Sequence, residues 1–288
     1  MKSLLERIRK WLGRLRGRLR AASAPAEPAG QDTSVTSPTR PSGPDAEAWR
    51  RCRLASCWNG PNAAERHMNL LSPHFSDGKV DAYMDWQRGR GTDTLHLILC
   101  NRGDGEGCRY GLYGRDGISW KIDAAWRSLA LQRIRRFADE GYSIVLWGMT
   151  DDAGDWNRRL LENPERYMSD LHQSGLLEHA DMFVLGLEMT EWGASARQLA
   201  AYRDAVRRYY KGAIGTHHNS GRMDYRELGN VLLYQTGTGR SAGEISGITR
   251  DVIRRAGMPV WMFELERWPA RELCEAALAA GAAGVGNW

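Results

Sequence analysis

Two apolar runs about 75 residues apart each stop at a carboxylate beside a tryptophan. The first is Phe183-Val184-Leu185-Gly186-Leu187-Glu188-Met189-Thr190-Glu191-Trp192 and the second is Pro259-Val260-Trp261-Met262-Phe263-Glu264-Leu265-Glu266-Arg267-Trp268. Continuous apolar runs of this length predict strands buried on both faces. A carboxylate at the end of such a strand is costly to bury without a purpose. Two carboxylates facing each other beside aromatic rings suit cleavage of a glycosidic bond.

Side chains alternate along a strand. In the first run Val184, Gly186 and Glu188 share one face, opposite Phe183, Leu185 and Leu187. The bulkier set is expected to meet outer helices, so Glu188 is expected to point inward. In the second run Val260, Met262 and Glu264 are expected to face inward, and Trp261, Phe263 and Leu265 outward. If the two strands lie across a closed ring, their carboxyl groups flank one bond. A separation of about 5–5.5 Å would give retention through a glycosyl-enzyme, and about 6.5–9.5 Å inversion. In the retaining reading Glu264 is the nucleophile, and either Glu188 or Glu191 is the general acid/base. The acid needs a raised pKa, which burial and a neighbouring carboxylate both provide.

Other strand ends supply candidate substrate contacts. His217 shares a face with Gly215 and Ala213, where it would contact a sugar hydroxyl or orient a glutamate. Tyr234 and Gln235 end another strand, and a tyrosine there can hydrogen-bond the nucleophile. Asn101 and Trp147 end two earlier strands. Asn287 and Trp288 end the last, with the indole as a floor under the sugar. Asp151 and Asp152 read as a helix cap or loop solvation, and Glu266-Arg267 as a salt-bridged loop. A divalent ion held by His217, His218, Asp151 and Glu188 is not expected. Adjacent histidines on a strand face opposite ways, and the first strand carries no His-x-His pair. No metal or cofactor is therefore expected.

The elements that must position these residues alternate regularly. Strands are expected at Arg66–Leu71, Thr94–Cys100, Ser143–Trp147, Asp181–Glu188, Gly212–His217, Asn230–Gln235, Pro259–Glu264 and Ala283–Asn287. Arg53–Trp58 is apolar enough to be an additional one. Helices are expected around Lys79–Arg88, within Trp120–Glu140, and at Pro164–Leu177, Ala194–Tyr210, Gly243–Ala256 and Arg271–Ala280. Strand–helix alternation with polar residues gathered at the carboxyl ends predicts an α/β fold, a (β/α)8 TIM barrel. No helix is expected after the eighth strand, so Ala46–Leu54 or a neighbouring subunit would cover the outer face of strands one and eight.

The 288-residue chain carries a net charge of +5, but residues 1–20 hold eight Lys/Arg against one Glu, so the rest is slightly acidic. The excess of positive charge belongs to a tail and does not imply a nucleic-acid-binding core. Within that tail Leu4, Ile8, Trp11, Leu12, Leu15 and Leu19 recur at helical spacing, which predicts a basic amphipathic helix over 1–20. It is expected to bind an anionic membrane surface, a virion or a partner protein. Its charges interrupt any apolar stretch of signal-peptide length, and it is too short and charged to span a bilayer. Residues 21–46 hold five of the ten prolines and read as a flexible linker, leaving 47–288 for the barrel. Five cysteines, an odd number with no CxxC pair, fit a reducing compartment or one optional bridge, for which Cys100 and Cys108 are placed.

The segment Pro259 to Leu265 resembles the seventh-strand nucleophile segment of the large clan of (β/α)8 retaining glycosidases, and Thr190-Glu191 sits where that clan usually has Asn-Glu. The fuller pattern is similar to TIM-barrel glycosidases encoded by tailed bacteriophages. The matching pieces are Arg66 to Pro73, Gly186-Leu187-Glu188 followed by Glu191-Trp192, Gly215 to His217, Tyr234 to Gly237, and Ala280 to Asn287. The resemblance covers roughly residues 58–288. It implies a glycoside hydrolase-like barrel with Glu264 and Glu188 or Glu191 as its carboxylates, acting on a bacterial surface or cell-wall polysaccharide. A non-catalytic carbohydrate-binding or virion structural barrel is the alternative expectation.

Overall fold

The continuous apolar runs form parallel strands. In the computed structural model, which describes residues 54–55, 70–73, 75–99, 124–149, 155–218, 221–265 and 271–286, eight of them pair in chain order. They are β1 (Leu54–Ala55), β2 (Thr94–Ile98), β3 (Ser143–Trp147), β4 (Met182–Val184), β5 (Ala213–His218), β6 (Val231–Gln235), β7 (Val260–Phe263) and β8 (Gly284–Gly286). The last seven make a curled parallel sheet, and the two-residue β1 pairs with both β2 and β8 to close it. The fold is therefore α/β and TIM-barrel-like. The expected helix over 1–20, the linker over 21–46, the Cys100–Cys108 pair, Asn101, Asp151, Asp152, Glu266-Arg267, Asn287 and Trp288 lie outside the described residues, as does the covering segment at 46–53.

The first strand differs from expectation. It is Leu54–Ala55, within the segment read as an additional strand. Leu70 and Leu71 of the expected Arg66–Leu71 strand lie in a turn instead, and residues 66–69 lie outside the described ones. Both leucines are buried, which is why the segment reads as a strand. Their surroundings are those of a braced loop. The buried guanidinium of Arg133 donates to the carbonyls of Leu70 (2.9 Å), Ser72 (2.8 Å) and Phe75 (2.6 Å), and to Asp77 Oδ1 (2.8 Å). A side chain thus satisfies carbonyls that a neighbouring strand would otherwise take.

Seven helices lie among the described residues: α1 (Asp77–Gly89), α2 (Ala124–Asp139), α3 (Asp155–Glu162), α4 (Pro164–Gln173), α5 (Ala196–Tyr209), α6 (Ala242–Ala256) and α7 (Arg271–Ala279). α5 and α6 start at capping boxes, Ser195 with Gln198 and Ser241 with Glu244, each pair satisfying two amide donors reciprocally. α3 is an element not expected from the sequence. Between β5 and β6 the described chain has only the short 3-10 turn Arg226–Leu228. No helix among the described residues is long and apolar enough to cross a membrane.

Side-chain size decides what fills the ring. Trp261 and Phe263 of β7 point into it, and a Cβ at Gly284 or Gly286 of β8 would collide with their rings. His96, Trp147 and His217 complete this interior layer. His96 stacks on Phe263 (centroids 5.1 Å), and His217 lies edge-on to both Phe263 (5.4 Å) and Trp147 (5.5 Å). Val260, Met262 and Val285 turn outward and pack with residues of α6 and α7 such as Ile245, Val252, Leu273 and Ala277. The expected faces of β7 are thus reversed. A tryptophan and a phenylalanine fit inside because the next strand gives up its side chains.

The Arg133 brace carries a measurable load. Arg133→Met keeps the aliphatic stem but leaves buried carbonyls unpaired, so unfolding free energy should fall by about 2–4 kcal/mol. Urea denaturation of the two proteins would measure it.

Candidate active site

β4 ends at Val184, and the chain then runs irregularly to the 3-10 turn Met189–Glu191. Met182 and Val184 face inward, where each comes close to the position a Cβ on Gly215 would take. Phe183 lies on the other face against Tyr210. Beyond the strand the Leu187 amide bonds the Met149 carbonyl at 3.1 Å, and Trp192 Nε1 bonds the Leu187 carbonyl at 3.0 Å. The indole of Trp192 covers Gly186, leaving no room for a Cβ there.

Glu188 follows in the left-handed region, φ 47°. Its amide donates to His217 Nδ1 at 3.2 Å, and its carbonyl accepts from the Glu191 amide at 2.8 Å. The Glu188 side chain is half-buried, whereas Glu191 is exposed.

On the far side of the same layer Phe263 points inward, so regular alternation would send Glu264 outward. Instead Glu264 takes φ 53° and its buried carboxylate accepts a hydrogen bond from Gln235 Nε2. Gln235 is on the inner face of β6, two residues beyond Leu233, whose side chain meets Gly215 inside the ring. The left-handed backbone thus keeps Glu264 at the inner rim, and the next residue, Leu265, returns to the outer cluster.

Only three non-glycine residues among those described have positive φ: Glu188, Tyr225 and Glu264. Such backbone is strained for a residue with a Cβ, and strain of this kind gathers at functional sites. One imidazole links the two acidic strand ends. His217 accepts from the Glu188 amide and touches the ring of Phe263, the residue before Glu264.

The buried histidines are neutral. Burial pushes His96 down to about 3, and pushes His217 well below its ordinary value, assisted by the neighbouring His218 and His96. His96 Nδ1 accepts from Trp147 Nε1 at 2.7 Å, so both inward imidazoles use Nδ1 as an acceptor. That places the His217 proton on Nε2. His218, the adjacent residue, faces away from the interior and lies near Tyr225, with burial lowering it to about 4.

Three of the expected substrate contacts are placed otherwise. Trp147 is fully buried in the interior layer with its indole N–H bonded to His96, so it has no face for a sugar. Tyr234 packs in the outer cluster beside α6, where burial raises its hydroxyl, because β6 alternation turns it away from Gln235. Gln235 holds Glu264 instead. Of the expected residues, Glu188 is tied to His217 through its amide and Glu264 to Gln235 through its side chain, while Glu191 is exposed. Sequence reasoning missed His96 and the inward Phe263. The alternate glycines Gly284 and Gly286 were the available signal for the latter.

No protein-family model matches the sequence, and no curated protein does. Solved structures do share the fold. A GH113 β-1,4-mannanase matches with a TM-score of 0.55 at 10% identity, covering 82% of this chain and 87% of that one. A GH5-4 broad-specificity endoglucanase from an uncultured bacterium matches at 0.52 and 11%, covering 85% and 88%. A GH5_18 variant from Streptomyces cattleya, in complex with Manβ1-4GlcNAc, matches at 0.59 and 14%, covering 82% and 70%. The chain is similar in fold to these parallel-strand barrels.

Two measurements test the site's physics. In the unfolded chain His96 takes up its proton near pH 6.5, and in the folded chain only near about 3. Its contribution to stability is complete above about pH 6.5 and is lost as pH falls toward about 3. His96→Asn keeps an acceptor for Trp147 but cannot be protonated. It should flatten the acid-side decline of unfolding free energy by about 1.4 kcal/mol per pH unit, read from denaturation series between pH 4 and 6. Separately, Glu188→Gly relieves the left-handed strain and should raise stability by about 1 kcal/mol, seen as a higher denaturation midpoint.

Proposed function

We propose that this chain is a glycoside hydrolase, phage-encoded, that cleaves a bacterial surface or cell-wall polysaccharide by a retaining mechanism. The observation that carries the reading is the pair of glutamates held in left-handed backbone at the ends of β4 and β7, with His217 between them. Strained backbone at the acidic ends of two strands is a feature that gathers at functional sites. The shared fold with mannanases and an endoglucanase supports the same reading.

Glu264 is the nucleophile and Glu188 the general acid/base. Glu188 is the half-buried member of the pair, its amide tied to His217, whereas Glu191 is exposed. In the first step an oxygen of Glu264 bonds the anomeric carbon as the glycosidic bond breaks. The leaving oxygen takes the proton from Glu188. In the second, Glu188 removes a proton from water, the water oxygen bonds the anomeric carbon, and Glu264 leaves as a carboxylate. No cofactor takes part. The basic segment 1–20 tethers the barrel to an anionic membrane surface, a virion or a partner protein.

Purified protein incubated with β-1,4-mannan, carboxymethylcellulose, peptidoglycan and bacterial capsular polysaccharide should release reducing ends from at least one. On that glycan Glu264→Gln should lower kcat by about 1,000-fold or more while binding, followed by calorimetry, persists. Binding without turnover by the unaltered protein would assign a carbohydrate-binding barrel instead.

A further inference from the structure

We infer that Gln235 is the positioning residue of Glu264, fixing one carboxylate oxygen and setting the acidity of the group; this rests on the reading of Glu264 as nucleophile. Three contacts from the end of β6 converge on the end of β7. Gln235 Nε2 donates to Glu264 Oε2, the Thr236 amide bonds the Phe263 carbonyl at 3.3 Å, and the Thr236 hydroxyl, which lies 3.1 Å from the Gly237 carbonyl, is 3.5 Å from the Glu264 carbonyl. The carboxylate is thus held by residue 235, and the strand leading into it by residue 236. The amide is itself fixed. Gln235 is the last residue of β6, paired in register with Phe263, and is buried.

Gln235 Oε1 is buried with no hydrogen-bond partner among the described residues. Among the described residues the amide is thus engaged through its donor alone. A neutral donor suits a nucleophile better than a cation. It orients the carboxylate and favours the charged form without neutralising it. If Glu264 Oε1 bonds the anomeric carbon, Oε2 becomes the carbonyl oxygen of the glycosyl ester. A carbonyl still accepts from the same N–H, so one donor serves the free carboxylate and the covalent intermediate. No proton moves to or from Gln235 in either step. This role replaces the sugar contact expected of Gln235.

Two variants and two readouts test the inference. Gln235→Leu removes the donor, and Gln235→Glu is isosteric but donates only while the paired carboxyls share a proton. The first readout needs no turnover. In protein labelled with 13C at the glutamate carboxyls, with the Glu264 signal assigned by its loss in Glu264→Gln, the Glu264 pKa should rise by about one unit in Gln235→Leu and further in Gln235→Glu. The second uses whichever glycan the unaltered protein cleaves. Gln235→Leu should lower kcat about 100-fold with little change in KM. Gln235→Glu should lose activity on the alkaline side one to two pH units earlier than the unaltered protein, or about that much. An unmoved Glu264 titration in both variants overturns the inference, even if hydrolysis is intact. A shifted titration in a protein that cleaves no glycan upholds the coupling of Gln235 to Glu264 and overturns the hydrolase reading. If Gln235→Leu fails to fold, the isosteric Gln235→Glu decides the matter alone.

Discussion

The interior volume of the ring is the constraint on which the rest depends. Trp261 and Phe263 fill it only because β8 places Gly284 and Gly286 beside them. With those two rings inside, His96, Trp147 and His217 pack around them as one layer. Aromatic rings at 5–6 Å separation give such a layer stiffness and dispersion energy with little conformational freedom left to lose. The imidazoles must stay neutral to remain there, and each accepts a hydrogen bond at Nδ1. The result is a rigid, apolar floor with acidic residues confined to its rim.

That floor explains why the two glutamates sit in unfavourable backbone. Once Phe263 is committed to the interior, ordinary alternation would carry Glu264 outward into the helical shell. The left-handed turn at Glu264 reverses this, and the contacts from Gln235 and Thr236 hold it there. At the opposite strand end His217 anchors the amide of Glu188, and Trp192 over Gly186 fixes the approach of the chain. Each strained residue is over-determined by neighbours from a different strand, which is the condition for strain to persist. Stability is surrendered locally to keep the Glu264 carboxylate beside Gln235.

Much of this was legible in the sequence. The alternation of strand and helix, the strand positions from Thr94 onward and the acidic ends of β4 and β7 all follow from local hydrophobic pattern. Other features were not. Leu70 and Leu71 look like strand residues because they are buried, yet they belong to a turn whose carbonyls Arg133 satisfies from more than 50 residues away. Trp147 and Tyr234 stand at strand ends like substrate contacts, but one is walled into the floor and the other faces α6. Gln235, beside Tyr234, makes the contact with Glu264 that the sequence suggests for the tyrosine.

The chain by itself determined the class of fold and the places where acidic side chains leave the strands, because both are written in the spacing of apolar residues along a single segment. Only the tertiary structure decided which way those side chains point. Facing depends on volumes contributed by neighbouring strands: glycines on β8 admit the β7 aromatics, and those aromatics then force the left-handed turn that returns Glu264 to the rim. Local pattern fixes an element, but the space available to each of its faces is set by residues far away in the chain.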